Sequence, residues 1–77
     1  MKIKAIIKDG WVEKIEVENE EKIIEILKER YKIHKARDFL EIFLKYVEGD
    51  LTVFEAEWLN ANEEAKKFLE SITEVID

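Results

Sequence analysis

Few side chains in this chain have the chemistry of a nucleophile beside a general base. Cysteine is absent, the only aliphatic hydroxyls are those of Ser71, Thr52 and Thr73, and His34 is the only imidazole. Nucleophilic catalysis needs a hydroxyl or thiol next to a base that removes its proton, and this inventory is thin for that purpose. We therefore predict that the protein is not an enzyme, and that His34 is a partly exposed residue in a connection between helices.

The carboxylates are numerous, but their spacing indicates solvated helix faces rather than a metal site. Among 19 acidic residues, Glu21 and Glu25 would share one helix face, where a carboxylate pair can hold a hard cation. One histidine without cysteine cannot supply the usual zinc ligands. Gly10 and Gly49 fall in a hairpin and after a helix, so they do not form a glycine-rich phosphate loop. We predict no metal ion and no cofactor.

Charge is distributed unevenly along the chain, whose formal net charge is −6. Residues 1–40 carry ten basic and nine acidic groups, whereas residues 41–77 carry three basic and ten acidic groups. The net charge opposes nonspecific binding to nucleic acid or to an anionic membrane. The acidic half favours a protein partner with a basic surface. One basic cluster stands out, and its members are candidate phosphate contacts: Lys28, Arg30, Lys32, Lys35 and Arg37.

Four apolar residues are candidate contacts for a protein partner. Trp11 and Trp58 are suited to interfaces because tryptophan offers a large apolar body with one hydrogen-bond donor. A place in the core or at its edge is the alternative for both. Ile6 and Val12 would form a small apolar patch on the outer face of a hairpin.

Residues 2–17 predict that hairpin, with Asp9-Gly10 at its turn. A three-residue loop, residues 8–10, keeps the apolar residues on one side of the sheet, because opposite residues share a side. It pairs Ile7 with Trp11 and Ile3 with Ile15. The predicted core face is then Ile3, Ala5, Ile7, Trp11, Ile15 and Val17.

Two helices follow the hairpin. Asn19 is a good N-cap for a first helix that extends to about Lys32, and a bend falls between residues 32 and 38. Seven of the nine residues from Phe39 to Val47 are apolar, which predicts a central, buried second helix. Gly49 ends it.

The last segment allows two interpretations. Thr52 and Glu55 fit a capping box, which favours a helix over a third strand at residues 52–58. The sequence around Asn62 favours a split into two helices, since Asn62 is a suitable N-cap. A helical stripe with spacings of four and three would run through Phe54, Trp58, Ala61, Ala65, Phe68, Ile72 and Val75. The four phenylalanines are predicted core residues: Phe39, Phe43, Phe54 and Phe68.

The expected fold is a single α+β domain over residues 1–77, with an N-terminal β-hairpin packed on three or four helices. Because a two-stranded ribbon is marginal in water and both strands have free edges, we expect an antiparallel homodimer. It would be joined by strand edges or by the stripe from Phe54 to Val75.

Composition also predicts where the protein works. No apolar stretch has the length of a signal peptide or a membrane span, so we expect a cytoplasmic protein. Enrichment in Glu and Lys without Gln or Cys is typical of hyperthermophiles. We therefore expect a protein of a thermophilic prokaryote, an archaeon or a virus that infects one. Its melting temperature in scanning calorimetry should lie well above 50 °C, and a value near 50 °C would contradict this expectation.

Two DNA-binding families offer partial resemblances. A strand at residues 13–18, a helix, a bend at Ile33-His34 and a helix over 36–47 resemble a ribbon-helix-helix domain across about 35 residues. The family's Gly and capping Ser or Thr before the second helix are absent, since Lys32-Ile33-His34 stand there, and the corresponding face of the strand carries Lys14, Glu16 and Glu18, with Val12 just before it. Residues 51–69 similarly resemble a helix-turn-helix, with glutamates on the would-be recognition helix. We assign membership in neither family.

These observations lead to one functional expectation and one alternative. We expect a small acidic protein without catalytic activity that acts as a protein-interaction or regulatory module. The alternative is a DNA-binding transcriptional regulator of ribbon-helix-helix-like or helix-turn-helix-like type.

Overall fold

Four helices and a three-stranded sheet make up the computed structural model, which describes all residues from Met1 to Asp77. The strands are β1 (Lys2–Lys8), β2 (Trp11–Glu18) and β3 (Thr73–Ile76), and the helices are α1 (Glu20–Glu29), α2 (Ala36–Glu48), α3 (Val53–Ala61) and α4 (Glu63–Ser71). β1 lies in the middle of the sheet, antiparallel to β2 and parallel to β3. The predicted α+β class and the order β-β-α-α-α-α are confirmed, and β3 is an additional element.

The hairpin turn is shorter than predicted. Asp9 and Gly10 both have positive φ, 54° and 82°, as a two-residue hairpin turn requires. Lys8 therefore lies opposite Trp11, and the predicted three-residue loop is wrong. A β-bulge at Glu13 adds one residue to β2 and restores the alternation beyond it.

The bulge changes which side chains share a face. Ile15 and Val17 lie opposite Ala5 and Ile3, on the side that the helices cover. Val12 lies opposite Ile7 on this same side, so the predicted patch of Ile6 with Val12 does not form.

Trp11 is not a core residue. It lies opposite Lys8 on the outer face, with 78% of its surface exposed. The predicted inward position was wrong because the two-residue turn pairs Trp11 with Lys8, and the bulge at Glu13 interrupts the alternation along β2. Trp11 therefore lies on the outer face and Val12 on the inner face.

The connection between α1 and α2 is a true break rather than a bend. α1 ends at Glu29, Lys32 takes a left-handed conformation with φ 59°, and the Ile33 N–H donates to the Leu27 carbonyl at 3.1 Å. Asn19 precedes α1 as predicted, but its side chain makes no capping hydrogen bond. Its φ of 55° puts it in the left-handed region, where asparagine is tolerated.

α2 begins at Ala36 and ends where predicted. Gly49 has φ 80°, and its N–H donates to the Tyr46 carbonyl at 3.1 Å. The next N–H, that of Asp50, donates to the Lys45 carbonyl at 2.9 Å. These bonds satisfy carbonyls that a helix end leaves free.

The capping box predicted for α3 is present. The Glu55 N–H donates to Thr52 Oγ1 at 3.2 Å, and the Thr52 N–H donates to Glu55 Oε1 at 3.0 Å. Residues 53–61 are helical, so the alternative of a strand at 52–58 is excluded. The chain divides at Asn62 as expected, although the Asn62 amide donates back to the Trp58 carbonyl at 3.0 Å instead of capping α4.

Removal of the Thr52 hydroxyl should weaken α3. We expect Thr52→Ala to lower the free energy of unfolding by about 1 kcal/mol, because an N–H at the start of α3 loses its acceptor. Urea denaturation measures this change. Thr52→Ser, which keeps the hydroxyl, is the control and should stay close to the wild type.

The core centres on α2, as predicted for the second helix. Phe39 and Phe43 are fully buried, and Trp58 meets Phe39 edge to face with ring centroids 5.2 Å apart. Phe68 packs on the core and stacks on Tyr31 at 5.5 Å. Trp58 thus lies at the core edge, one of the two positions expected for it.

Phe54 and the predicted C-terminal stripe differ from expectation. Phe54 is 82% exposed, so its assignment to the core was wrong. Leu59, Ala65 and Leu69 supply the buried positions of α3 and α4. The helical stripe does not continue to Val75, because residues 73–76 form a strand.

β3 completes the sheet at the edge of β1 that β2 leaves free. The Ile3 N–H donates to the Ile72 carbonyl at 2.8 Å, and Thr73 Oγ1 donates to the Leu69 carbonyl at 2.6 Å. The free sheet edges are therefore those of β2 and β3.

None of the four helices combines the length and the apolar character needed to span a bilayer.

Candidate interaction surfaces

Two exposed apolar surfaces lie on different elements. The first, which we name the α3 patch, consists of Val53 and Phe54 in the first turn of α3, 73% and 82% exposed. Phe54 precedes Trp58 by four residues and therefore lies on the same helix side. The core covers Trp58 but leaves the turn before it exposed.

The second surface, which we name the hairpin patch, consists of Trp11, Ile6 and Ile76 on the outer face of the sheet. Ile6 and Ile76 are directly paired across β1 and β3, and both are half-buried. Trp11 lies opposite Lys8, two residues along β1 from Ile6, and is therefore a diagonal neighbour of Ile6 on the outer face. A diagonal neighbour at that distance, about 7–8 Å between Cα atoms, is within reach of an aromatic side chain.

The structure brings together two of the four predicted partner contacts. Trp11 and Ile6 share the hairpin patch, whereas Val12 lies on the other face and Trp58 packs on the core. Phe54 was missed because it fitted a helical stripe. Three of the four residues Thr73-Glu74-Val75-Ile76 are β-branched, and this enrichment is the sequence signal for a strand that contains Ile76.

The predicted basic cluster divides into two parts. Arg37 Nη2 donates to Glu21 Oε1 at 2.8 Å, and Arg37 Nη1 lies 3.5 Å from Glu20 Oε1. This hydrogen bond and the negative charge of Glu21 raise the pKa of Arg37 above its ordinary value. The other four members are exposed around the α1–α2 connection and have no carboxylate within ion-pair distance: Lys28, Arg30, Lys32 and Lys35.

The carboxylate pair on α1 is neutralised by cations. Glu25 lies 3.3 Å from Lys22 Nζ, and Glu21 binds Arg37. Both carboxylates line a shallow groove of about 270 Å³ on α1. A second open groove of about 370 Å³ lies where α3 meets α4, beside Tyr31 and Asn62. No three histidine, cysteine or acidic side chains come together as metal ligands.

An ion pair joins the first turn of α3, which carries the α3 patch, to α2. Lys45 Nζ of α2 donates to Glu55 Oε2 at 3.0 Å. The backbone hydrogen bond from Thr52, and then the bond from Lys45, lower the pKa of Glu55. The same bond to Glu55 raises the pKa of Lys45.

Acid should weaken this junction. A carboxylate whose pKa is depressed in the folded state contributes stability above its unfolded pKa and loses that contribution as pH falls through the folded pKa. The test compares the free energy of unfolding of the wild type with that of Glu55→Gln, whose side-chain oxygen can still accept the capping hydrogen bond. We expect the excess stability of the wild type to be constant near neutral pH. It should fade below about pH 4, the unfolded value for glutamate. Urea unfolding at a series of pH values tests this, and a difference that grows with acid would contradict it.

Comparison of the chain with protein-family models, with curated proteins and with solved structures returned no match.

Proposed function

We propose that this chain is a non-enzymatic protein-interaction module that binds its partner through the α3 patch. The single observation that supports the proposal most is the exposure of Phe54, at 82%. The chain buries 12 residues in one core cluster, yet it leaves this phenylalanine and its neighbour Val53 outside.

The energetics of binding support the same proposal. A few large side chains at the centre of an interface usually provide most of the binding energy. Phe54 is one of only two aromatic side chains in this chain that are more than three-quarters exposed, and the other is Trp11. Both are available to another molecule without any unfolding.

Charge around the α3 patch supports a basic partner. The C-terminal half contains ten acidic and three basic residues. Near the patch, Asp50 and Glu57 are exposed and form no ion pair. A partner with an apolar pocket bordered by lysine or arginine would match this surface, and complementary charge would speed its association.

The proposal is tested by immobilising the protein and capturing its partner from an extract of the cells that make it. We expect the variant Val53→Ser with Phe54→Ser to lose at least about tenfold of the captured partner, since truncation of a central anchor costs 2 kcal/mol or more. Val75→Thr is the matched control, because Val75 is also exposed, at 65%. Equal capture by the wild type and the double variant would reject the α3 patch.

A second candidate function, DNA binding by a transcriptional regulator, is favoured by the four unpaired cations around the α1–α2 connection. If they contact phosphates, the affinity for duplex DNA should fall steeply with salt, with a log–log slope of about −3 to −4 for four neutralised phosphates. The pair Lys28→Ala and Lys32→Ala should reduce that slope by about two, while Lys67→Ala, outside the cluster, should not. Absence of binding in low salt would reject this candidate.

A further inference from the structure

The free edge of β2 exposes the backbone groups of alternate residues. The Ile3 N–H donates to the Ile72 carbonyl at 2.8 Å, so Ile3 directs its backbone groups toward β3. Successive residues of a strand direct these groups to opposite edges, and Lys4 therefore bonds to β2, where Glu16 lies opposite. Ile15, the residue before Glu16, accordingly directs its N–H and C=O away from β1, to the free edge of the sheet.

Two free charges of opposite sign flank Ile15 along this edge. Lys14 and Glu16 are exposed on the outer face and form no ion pair. The next carboxylate along the strand, that of Glu18, is held by Lys4 at 3.3 Å. Ile15 itself faces the helices but is only half-buried, so the helices leave this part of the edge accessible.

The order of these charges selects the strand that can pair with the edge. Charged side chains on an edge strand oppose pairing with most other strands. A strand that places a carboxylate opposite Lys14 and a cation opposite Glu16 removes this opposition. The same strand in the antiparallel direction has that pattern, because Lys14 and Glu16 lie on either side of Ile15. The charge pattern of this edge is therefore complementary to itself.

We propose that two molecules of this chain associate through their β2 edges, in antiparallel orientation, about a two-fold axis at Ile15. The two Ile15 residues exchange both backbone hydrogen bonds, and their side chains meet on the helix side of the sheet. On the outer face, each Lys14 pairs with Glu16 of the second molecule. The contact joins two three-stranded sheets into one, and it gives the homodimer expected from the sequence a specific edge and register.

The alternative registers bring like charges together. Opposite residues share a side of the sheet, so the axis can move only to a neighbouring residue of the strand. An axis at Lys14 would place the two Lys14 side chains opposite each other, and an axis at Glu16 would do the same for the two Glu16 side chains. Both arrangements are unfavourable. With the axis at Ile15, the free carboxylate of Glu13 falls at the level of Val17 and meets no like charge.

The contact is small, and we expect a transient dimer. The β-bulge at Glu13 ends the regular part of the edge just before Lys14, and the turn residue Asp9 lies beyond it. Interfaces smaller than about 1,000 Å² are typical of weak complexes. We expect a Kd between about 100 µM and 1 mM at low ionic strength. Since salt screens exposed ion pairs, the Kd should rise as salt is added.

Charge exchange between two single variants tests the proposed register. Lys14→Glu would place glutamates opposite Glu16, and Glu16→Lys would place lysines opposite Lys14. Each variant alone should therefore associate at least about tenfold more weakly than the wild type. An equimolar mixture of the two should regain the wild-type affinity, because every charged pair across that interface is again opposite in sign. Lys67→Glu, with the same charge change on α4, is the control and should associate like the wild type.

Heteronuclear NMR follows the association and shows at the same time that each variant is folded. In a dilution series of the wild type from about 2 mM to about 50 µM, the Ile15 amide resonance should shift with concentration. The series is recorded at low ionic strength, where the ion pairs are least screened.

Three outcomes would overturn the inference. Wild-type spectra that do not change with concentration up to about 2 mM would reject the dimer. A mixture of the two variants that associates no better than its components would reject the register. Concentration-dependent shifts confined to Thr73–Ile76 would place the contact at the edge of β3 instead of β2.

Discussion

Phe39→Ala should lower the free energy of unfolding by about 3–5 kcal/mol, the range for loss of a buried phenylalanine. Phe39 is fully inaccessible to solvent, and its ring packs against Trp58 of α3. The cavity left by the substitution would lie between α2 and α3. The expected loss is comparable with the whole stability that one core of this size usually supplies, about 3–5 kcal/mol.

Phe54→Ala provides a matched control, because the same chemical change occurs at an exposed position. We expect it to alter the free energy of unfolding by no more than about 0.5 kcal/mol. Thermal melts should show the same contrast, with Tm lower by roughly 15–30 °C for Phe39→Ala. Equal effects at the two positions would contradict the assignment of Phe39 to the core and of Phe54 to the surface.

Deletion of residues 73–77 should cost about 2–4 kcal/mol. The deletion removes β3 and leaves β1 paired with β2 alone, and a two-stranded ribbon has little stability of its own. The estimate counts a few ladder hydrogen bonds at about 1 kcal/mol each. The hydroxyl bond from Thr73 to the Leu69 carbonyl is lost as well.

Urea denaturation and amide hydrogen exchange measure the effect of this deletion. Exchange should accelerate in β1, whose second edge becomes exposed, more than in α2. Deletion of Asp77 alone is the control, because β3 ends at Ile76. A protein without residues 73–77 that unfolds at the same urea concentration as the full chain would show that β3 is dispensable.

The helices and their limits were largely predictable from the sequence because their signals are local. Gly49 ends α2, and Thr52 with Glu55 begins α3, through backbone hydrogen bonds within a few residues. The apolar run of α2 likewise depends only on its own sequence. Patterns of this kind depend on residues close in sequence and do not require contacts between distant parts of the chain.

The misassigned residues depend on longer-range structure. The bulge at Glu13 moves Trp11 to the outer face, and no glycine stands at this position to indicate a bulge. β3 has only four residues, and its pairing with β1 joins the two ends of the chain. Phe54 fits a helical spacing, but only the packed structure shows that the core does not reach its turn. The basic cluster was predicted as five residues. In the folded chain Arg37 forms ion pairs with Glu20 and Glu21 of α1, so only the other four cations are free.

Site-specific photocrosslinking in living cells tests most directly whether the α3 patch meets another protein. A benzophenone amino acid would replace Phe54, and in a control strain it would replace Glu29, an exposed residue on α1. We expect a covalent adduct of higher mass with a defined protein from position 54, and none from position 29. No adduct from position 54, or the same adducts from both positions, would contradict the account.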